Sequence, residues 1–253
     1  MTGKVLLDRR EDGVRVLTLN DPDRRNAIGP EIQAELADRI GEVSSDPRSR
    51  VLVVGGAGTT FCAGADLPTI FGDSGRPVDE MRRKLHEYYQ CFLAVLDLPF
   101  PTIAAVQGPA IGAGLNLALC CDIRLAGPHA QFGATFSRIG LHPGGGCTFS
   151  LVHSMGKQRA LRVLLQGDTL NAEAAVSNKL ADDLVQDPKV TALEMASRFA
   201  GLNPQLCRDI KQSVRIAADY GFTPSLDFET WAQASSATRP EIQTAVARFR
   251  SRR

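Results

Sequence analysis

Residues 101–127 read PTIAAVQGPAIGAGLNLALCCDIRLAG. PTIAAVQG has the pattern of a buried strand, GLNLALCC that of a helix, and DIRLAG that of a second strand, with the turn Gly112-Ala113-Gly114 between the first two. Strand, turn, helix and strand in so short a stretch favour an α/β fold. The only strongly polar side chain in the first turn of that helix is Asn116. A helix opening carries N–H groups with no internal acceptor. The turn could therefore grip an oxygen, cradle a nucleotide, or need glycine only for close packing.

Working outward, GVRVLTLN alternates through Val14 and Val16 and then shifts phase to Leu17 and Leu19, while RVLVVGG is a short buried strand stopped by Gly55 and Gly56. Between them Ile32, Leu36, Ile40 and Val43 form one apolar stripe behind Pro30, which predicts a helix through PEIQAELADRIGEV. Residues 68–80, PTIFGDSGRPVDE, predict a loop before a helix carrying His86, Tyr88, Tyr89, Phe92 and Leu96. A second glycine-rich turn, LHPGGG, precedes CTFSLVHSMG, and the helix in KQRALRVLLQG stops at Gly167. Asn171 is placed to cap NAEAAVSNKL. From about residue 189 the periodicity is helical, divided by Pro204, Pro224 and Pro240. No internal repeat or low-complexity tract is visible.

The chain has 253 residues, enough for one large α/β domain or a main domain with an appendage. Its 29 basic and 28 acidic residues nearly cancel, so neither nucleic acid nor an acidic membrane is an expected partner, and small ligands are. The segment MTGKVLLDRREDG reaches charges after three apolar residues, which does not suit a secretory signal, and no run of 18 apolar residues occurs. A cytoplasmic protein is expected. The six cysteines include no CxxC pair, and Cys120 and Cys121 are adjacent within an apolar segment. That pattern suits reduced core residues and predicts neither disulfides nor a metal site.

Four motifs carry candidate chemistry. GAGLNL begins like a dinucleotide fingerprint, but Leu117 stands at the third glycine position and no acidic residue ends a second strand about 20 residues later. GDSG at Gly72–Gly75 resembles a serine-nucleophile turn without partners in a β-rich context, and HPGGG at His142–Gly146 resembles a lipase oxyanion turn in a chain with no GxSxG elbow. The fourth is a pair, FCAGADL at Phe61–Leu67 and AIGAGLN at Ala110–Asn116, each following a predicted strand. One N–H from each turn, converging on a thioester carbonyl, would stabilise an enolate or tetrahedral oxyanion with help from the helix dipole. Glycine needed only for tight packing explains the same residues.

FCAGADL, PTIAAVQGPAIGAGLNLALCCDIRLAG, AQFGA with IGLHPGGG, and GDTLNAEAA resemble, in this order and spacing, the enoyl-CoA hydratase/isomerase family of the crotonase superfamily. The resemblance covers nearly the whole chain. It implies a crotonase-like α/β fold of repeated strand-strand-helix units over residues 1–195, with a helical trimerisation region over residues 196–253. It also implies homo-trimers, often paired into hexamers. The family's two oxyanion donors fall on the N–H groups of Ala65 and Ala113. Alanine replaces the commoner glycine at the second, and can still donate where its φ is negative. Ala63, Asp66 and Leu67 match the segment along the CoA adenine, and Arg24 with Arg25, in DRRNA, match the strip that meets CoA phosphates. Coenzyme A enters as part of the substrate, so no resident cofactor and no metal are implied.

The resemblance breaks at the family's two hydratase glutamates, whose positions hold Asn116 and Phe136. Asn116 can hold a water but cannot take its proton, and Phe136 can do neither. His142, beside the second glycine turn on the acyl side of the family's pocket, is a candidate substitute base, and a lone histidine in a turn has a plain structural reading as well. The resemblance also puts His86, Tyr88 and Tyr89 on the segment that faces the acyl pocket in relatives, and Asp73, Asp79 or Glu80 could reach in from the loop, but no one of these is singled out. The expected function is acyl-CoA binding with oxyanion or enolate stabilisation by a route other than two-glutamate hydration. The alternative is a non-catalytic acyl-CoA carrier.

Overall fold

The computed structural model describes residues 3–250. The chain forms two compact units, one ending at Gly201 and the other beginning at Leu202. In the first, nine strands make two sheets: β1 (Val5–Arg9), β2 (Val14–Leu19), β3 (Val51–Gly56), β4 (Thr102–Val106), β5 (Pro109–Ile111), β6 (Ile123–Ala126), β7 (Gln131–Gly133), β8 (Thr169–Asn171) and β9 (Asp183–Leu184). The larger sheet runs β1-β2-β3-β4-β6-β9 and is parallel except for β1; the smaller runs β5-β7-β8. Eight helices accompany them: α1 (Pro30–Ser45), α2 (Leu67–Phe71), α3 (Val78–Leu93), α4 (Ala113–Leu119), α5 (Cys147–Met155), α6 (Lys157–Gln166), α7 (Ala172–Ser177) and α8 (Pro188–Ala200).

Parallel strands covered on both faces read as continuous apolar runs, and this explains the apparent phase shift in GVRVLTLN. Leu17 and Leu19 join Leu52, Val54 and Ala104 in one core cluster. Val14 and Val16 join Val51, Val53 and Ile103 in the other, under Ala192 and Ala196 of α8. The strand does not shift; it is buried on both sides. Arg15, on the face of Leu17, is 2% exposed, and its guanidinium donates to Asp46 just beyond α1 at 2.8 and 3.2 Å.

The structure adds one strand and corrects two expectations. β1 shows little pattern in the sequence, because its register against β2, Val5 opposite Leu19, buries just Val5 and Leu7. The expected loop over residues 68–80 shrinks to residues 72–77, since α2 already forms at Leu67 and α3 starts at Val78. Pro224 does not separate helices, for it sits in the first turn of a helix beginning at Phe222, where no donor is needed.

The second unit holds α9 (Pro204–Tyr220), α10 (Phe222–Ala237) and α11 (Pro240–Arg250). Arg239 ties it together, reaching Asp209 at 3.7 Å and Asn203 at 3.2 Å. Among the described residues no helix is long and apolar enough to cross a membrane.

Candidate functional site

Both glycine turns are laid side by side by short-range pairing. Cys62 N–H donates to Pro109 O at 3.0 Å, and Ile111 N–H donates back to Cys62 O at 3.0 Å. A Cβ on Gly64 would stand 2.6 Å from Ile111 O and 3.6 Å from Ala113 N, at a φ of +101°. Only glycine allows that approach. At the second turn Gly112 has φ +54°, and its N–H is held by Gly133 O of β7 at 2.9 Å, so the small sheet fixes where α4 begins.

This arrangement decides where the next two N–H groups point. Ile28 donates to Gly64 O at 2.7 Å and accepts from Asp66 N–H at 3.2 Å, a parallel bridge that leaves Ala65 N–H directed the other way. Ala113 is the first residue of α4, and its φ is not positive. Neither N–H has an acceptor among the described residues. Ala65 and Ala113 both line a cavity of about 310 Å³, together with Ala63 and Leu67 of the first turn.

The cavity also gathers Asn116, Phe136 and His142. Asn116 is 3% exposed; its Nδ2 donates to Gly144 O at 2.9 Å and its Oδ1 has no partner. Phe136 lies in a 3-10 turn, Thr135–Ile139, packed against the core. His142 is exposed, and its Nδ1 lies 2.8 Å from Pro143 O. A carbonyl only accepts, so in this contact Nδ1 is the donor and Nε2 is the ring's accepting nitrogen. None of the residues lining this cavity is a carboxylate. Tyr88 turns its hydroxyl to Ile28 O at 3.3 Å, and burial raises its phenol well above the ordinary value. His86, Asp73, Asp79 and Glu80 do not line the cavity.

Arg24 and Asp66 come together more closely than their separate roles implied. The guanidinium donates to Asp66 Oδ2 at 2.7 Å, and this bond holds the carboxyl below its usual range. Arg25 is exposed, and its side chain has no partner among the described residues. Arg25 and Asn26 both have positive φ, 52° and 56°. Such a pair persists only when its surroundings over-determine it. Asn26 does this, with Oδ1 accepting from Asp21 N–H and Nδ2 donating to the carbonyls of Ala57, Thr60 and Phe61. The Asn of DRRNA was the missed residue; its tolerance of left-handed backbone was the available signal. Lys84 was also missed. Its ammonium caps the last carbonyls of α2, Thr69 O at 2.8 Å and Ile70 O at 3.0 Å, and so pins one wall of the cavity to α3.

The family model described as enoyl-CoA hydratase/isomerase matches residues 9–253. The chain is 42% identical over 243 residues to the Mycobacterium tuberculosis protein named probable enoyl-CoA hydratase EchA14, covering 92% of this chain and 93% of that one. It is 34% identical over 251 residues to the Escherichia coli 1,2-epoxyphenylacetyl-CoA isomerase, covering 98% and 96%. Among solved structures, an enoyl-CoA hydratase from Polaromonas sp. JS666 superposes with a TM-score of 0.88 at 28% identity, over 99% of this chain and 98% of that one.

Proposed function

The chain belongs to the enoyl-CoA hydratase/isomerase family and has the crotonase fold, and from that premise we propose that it binds an acyl-CoA thioester and polarises its carbonyl between the N–H groups of Ala65 and Ala113. One observation carries the reading: two unpartnered backbone donors from adjacent glycine turns face one apolar cavity. Fixed donors in a site that excludes water need no reorganisation as negative charge develops on the oxygen, and removing one such donor costs about 10²–10³ in rate in other enzymes. The α4 N-terminus adds its dipole at the same place.

The chemistry built on that oxyanion is not two-glutamate hydration. Asn116 offers a carboxamide and Phe136 a benzyl group, while the lining supplies no carboxylate to move a proton. His142 Nε2 is the base within the site, and its place on the rim suits proton removal from a carbon near the thioester. Ala63, Asp66 and Leu67 would run along the adenine. Arg25 would meet a phosphate directly; Arg24 would do so only by sharing with Asp66. The mostly apolar lining also favours a second reading, carriage of acyl-CoA without turnover. We propose a homo-trimer or hexamer in either case.

Calorimetric titration with short, medium and long acyl-CoA thioesters tests the shared part, with saturable binding expected and no binding at millimolar concentration contradicting it. Mass spectrometry of the same panel after incubation separates the two readings: any new thioester or free acid indicates an enzyme, and an unchanged panel indicates a carrier.

A further inference from the structure

Ile28 decides where the Ala65 N–H points. It lies in no strand and meets the first glycine turn through one isolated bridge. Gly64 O and Ala65 N–H are the two ends of one planar peptide, so the bond from Ile28 N–H to Gly64 O, 2.7 Å long, turns the Ala65 N–H to the opposite side. The next peptide is fixed from the same residue, because Asp66 N–H donates to Ile28 O at 3.2 Å. Both peptides that flank the Ala65 α-carbon therefore take their orientation from the Ile28 backbone.

A bridge of two bonds has little hold of its own, and α3 braces it. The Tyr88 hydroxyl donates to Ile28 O at 3.3 Å, and among the described residues no other side chain bonds to the Ile28 backbone. Together with Asp66 N–H it occupies both lone pairs of that oxygen. Tyr88 is buried, and its ring stands edge-on to Phe92, with centroids 6.2 Å apart, and to Tyr89, with centroids 5.9 Å apart. Packing thus sets where the hydroxyl stands. Burial raises its phenol well above the ordinary value, so the proton stays in place to be donated. The bond is longer than an ordinary O–H···O bond, as hydrogen bonds of a catalytic site commonly are before a ligand arrives.

Lys84, one turn earlier on the same face of α3, holds the carbonyls at the end of α2. One helix face so braces the backbone beside Ala65, at Ile28, and the backbone beyond it, in α2. A benzyl side chain at position 88 would fill the same space as the phenol; what the hydroxyl adds is the bond to Ile28 O.

We propose that Tyr88 is a positioning residue for the oxyanion site: its hydroxyl, acting through Ile28 O, keeps the Ala65 N–H aimed into the cavity. This rests on the acyl-CoA reading above. The test is infrared difference spectroscopy of butyryl-CoA, labelled with carbon-13 at the thioester carbonyl, bound to the unaltered protein and to Tyr88→Phe. The unaltered protein is expected to lower the C=O stretch from its value in free solution. Tyr88→Phe loosens one of two donors and is expected to lose about half of that displacement. A packing role alone would lower the melting temperature and leave the bound carbonyl where it was, so an undiminished displacement in Tyr88→Phe overturns the proposal. Should Tyr88→Phe not fold, Tyr88→3-fluorotyrosine decides: it keeps the shape of the ring and is the stronger donor, so a larger displacement is expected and an unchanged one overturns the proposal. A bound thioester with no displacement in the unaltered protein would overturn the assignment of the two donors, and absence of binding the acyl-CoA reading itself, each taking this proposal with it.

Discussion

At Asn116 one atom separates this site from a carboxylate, and that atom decides the proton chemistry. An amide nitrogen spent on Gly144 O leaves a carbonyl that can orient a donor but never accept its proton for good. Positioned acid-base groups contribute about 10²–10⁴ each. Crotonyl-CoA hydration is therefore expected at least about 10³-fold below that of a two-glutamate relative assayed alongside. Asn116→Glu with Phe136→Glu should raise it, against the mutual repulsion of two buried carboxylates. Hydration by the unaltered protein at the relative's rate would contradict this, and His142→Ala would then identify the base. Much at this scale was legible: glycines, alanines, Asn116, Phe136 and His142 all reach one cavity. What Asn26 and Lys84 do was not legible, because each acts on backbone groups that are distant in sequence.

At the scale of elements, the site depends on short pieces held by a few polar contacts. β5 and β7 have three residues each, too short to show alternation, so pattern reading passes over the small sheet that fixes Gly112. The long strands and α1 were legible because their apolar residues are buried at the expected positions, Ile32, Leu36, Ile40 and Val43 among them. α2 has five residues and is held at one end by Asp66 with Arg24 and at the other by Lys84. Lys84→Met keeps the aliphatic stem and removes the cap. Hydrogen exchange at residues 67–72 should then quicken by about tenfold or less, the range expected for losing charge-assisted capping bonds. Unchanged exchange there would show that packing alone holds α2.

For the whole molecule, two properties follow from what is buried and what is not. None of the six cysteines is in a disulfide and all are buried, and burial pushes the thiols of Cys62, Cys91 and Cys147 up to about 12. A thiol reagent at pH 8 should titrate none of them in the folded protein and six after denaturation. The same thiols ionise near 9 once unfolded, so their contribution to stability is intact below pH 9 and is lost as the pH rises from there toward 12. In the second unit Leu226, Trp231, Ile242 and Val246 are exposed and Phe228 is half-buried; the side chain of Phe249 lies outside the described residues. An apolar surface of that kind suits burial between subunits. Light scattering at micromolar concentration is expected to give three or six times the monomer mass, and a monomer would contradict it.

The thioester carbonyl itself reports on the two donors most directly. Butyryl-CoA labelled with carbon-13 at that carbonyl, bound to the protein and observed by NMR and by infrared difference spectroscopy, should show its carbonyl resonance displaced downfield and its C=O stretch lowered. Both follow from polarisation between the N–H groups of Ala65 and Ala113. A bound ligand whose carbonyl resonance and stretch stay at their positions in free solution would contradict the assignment of those two N–H groups.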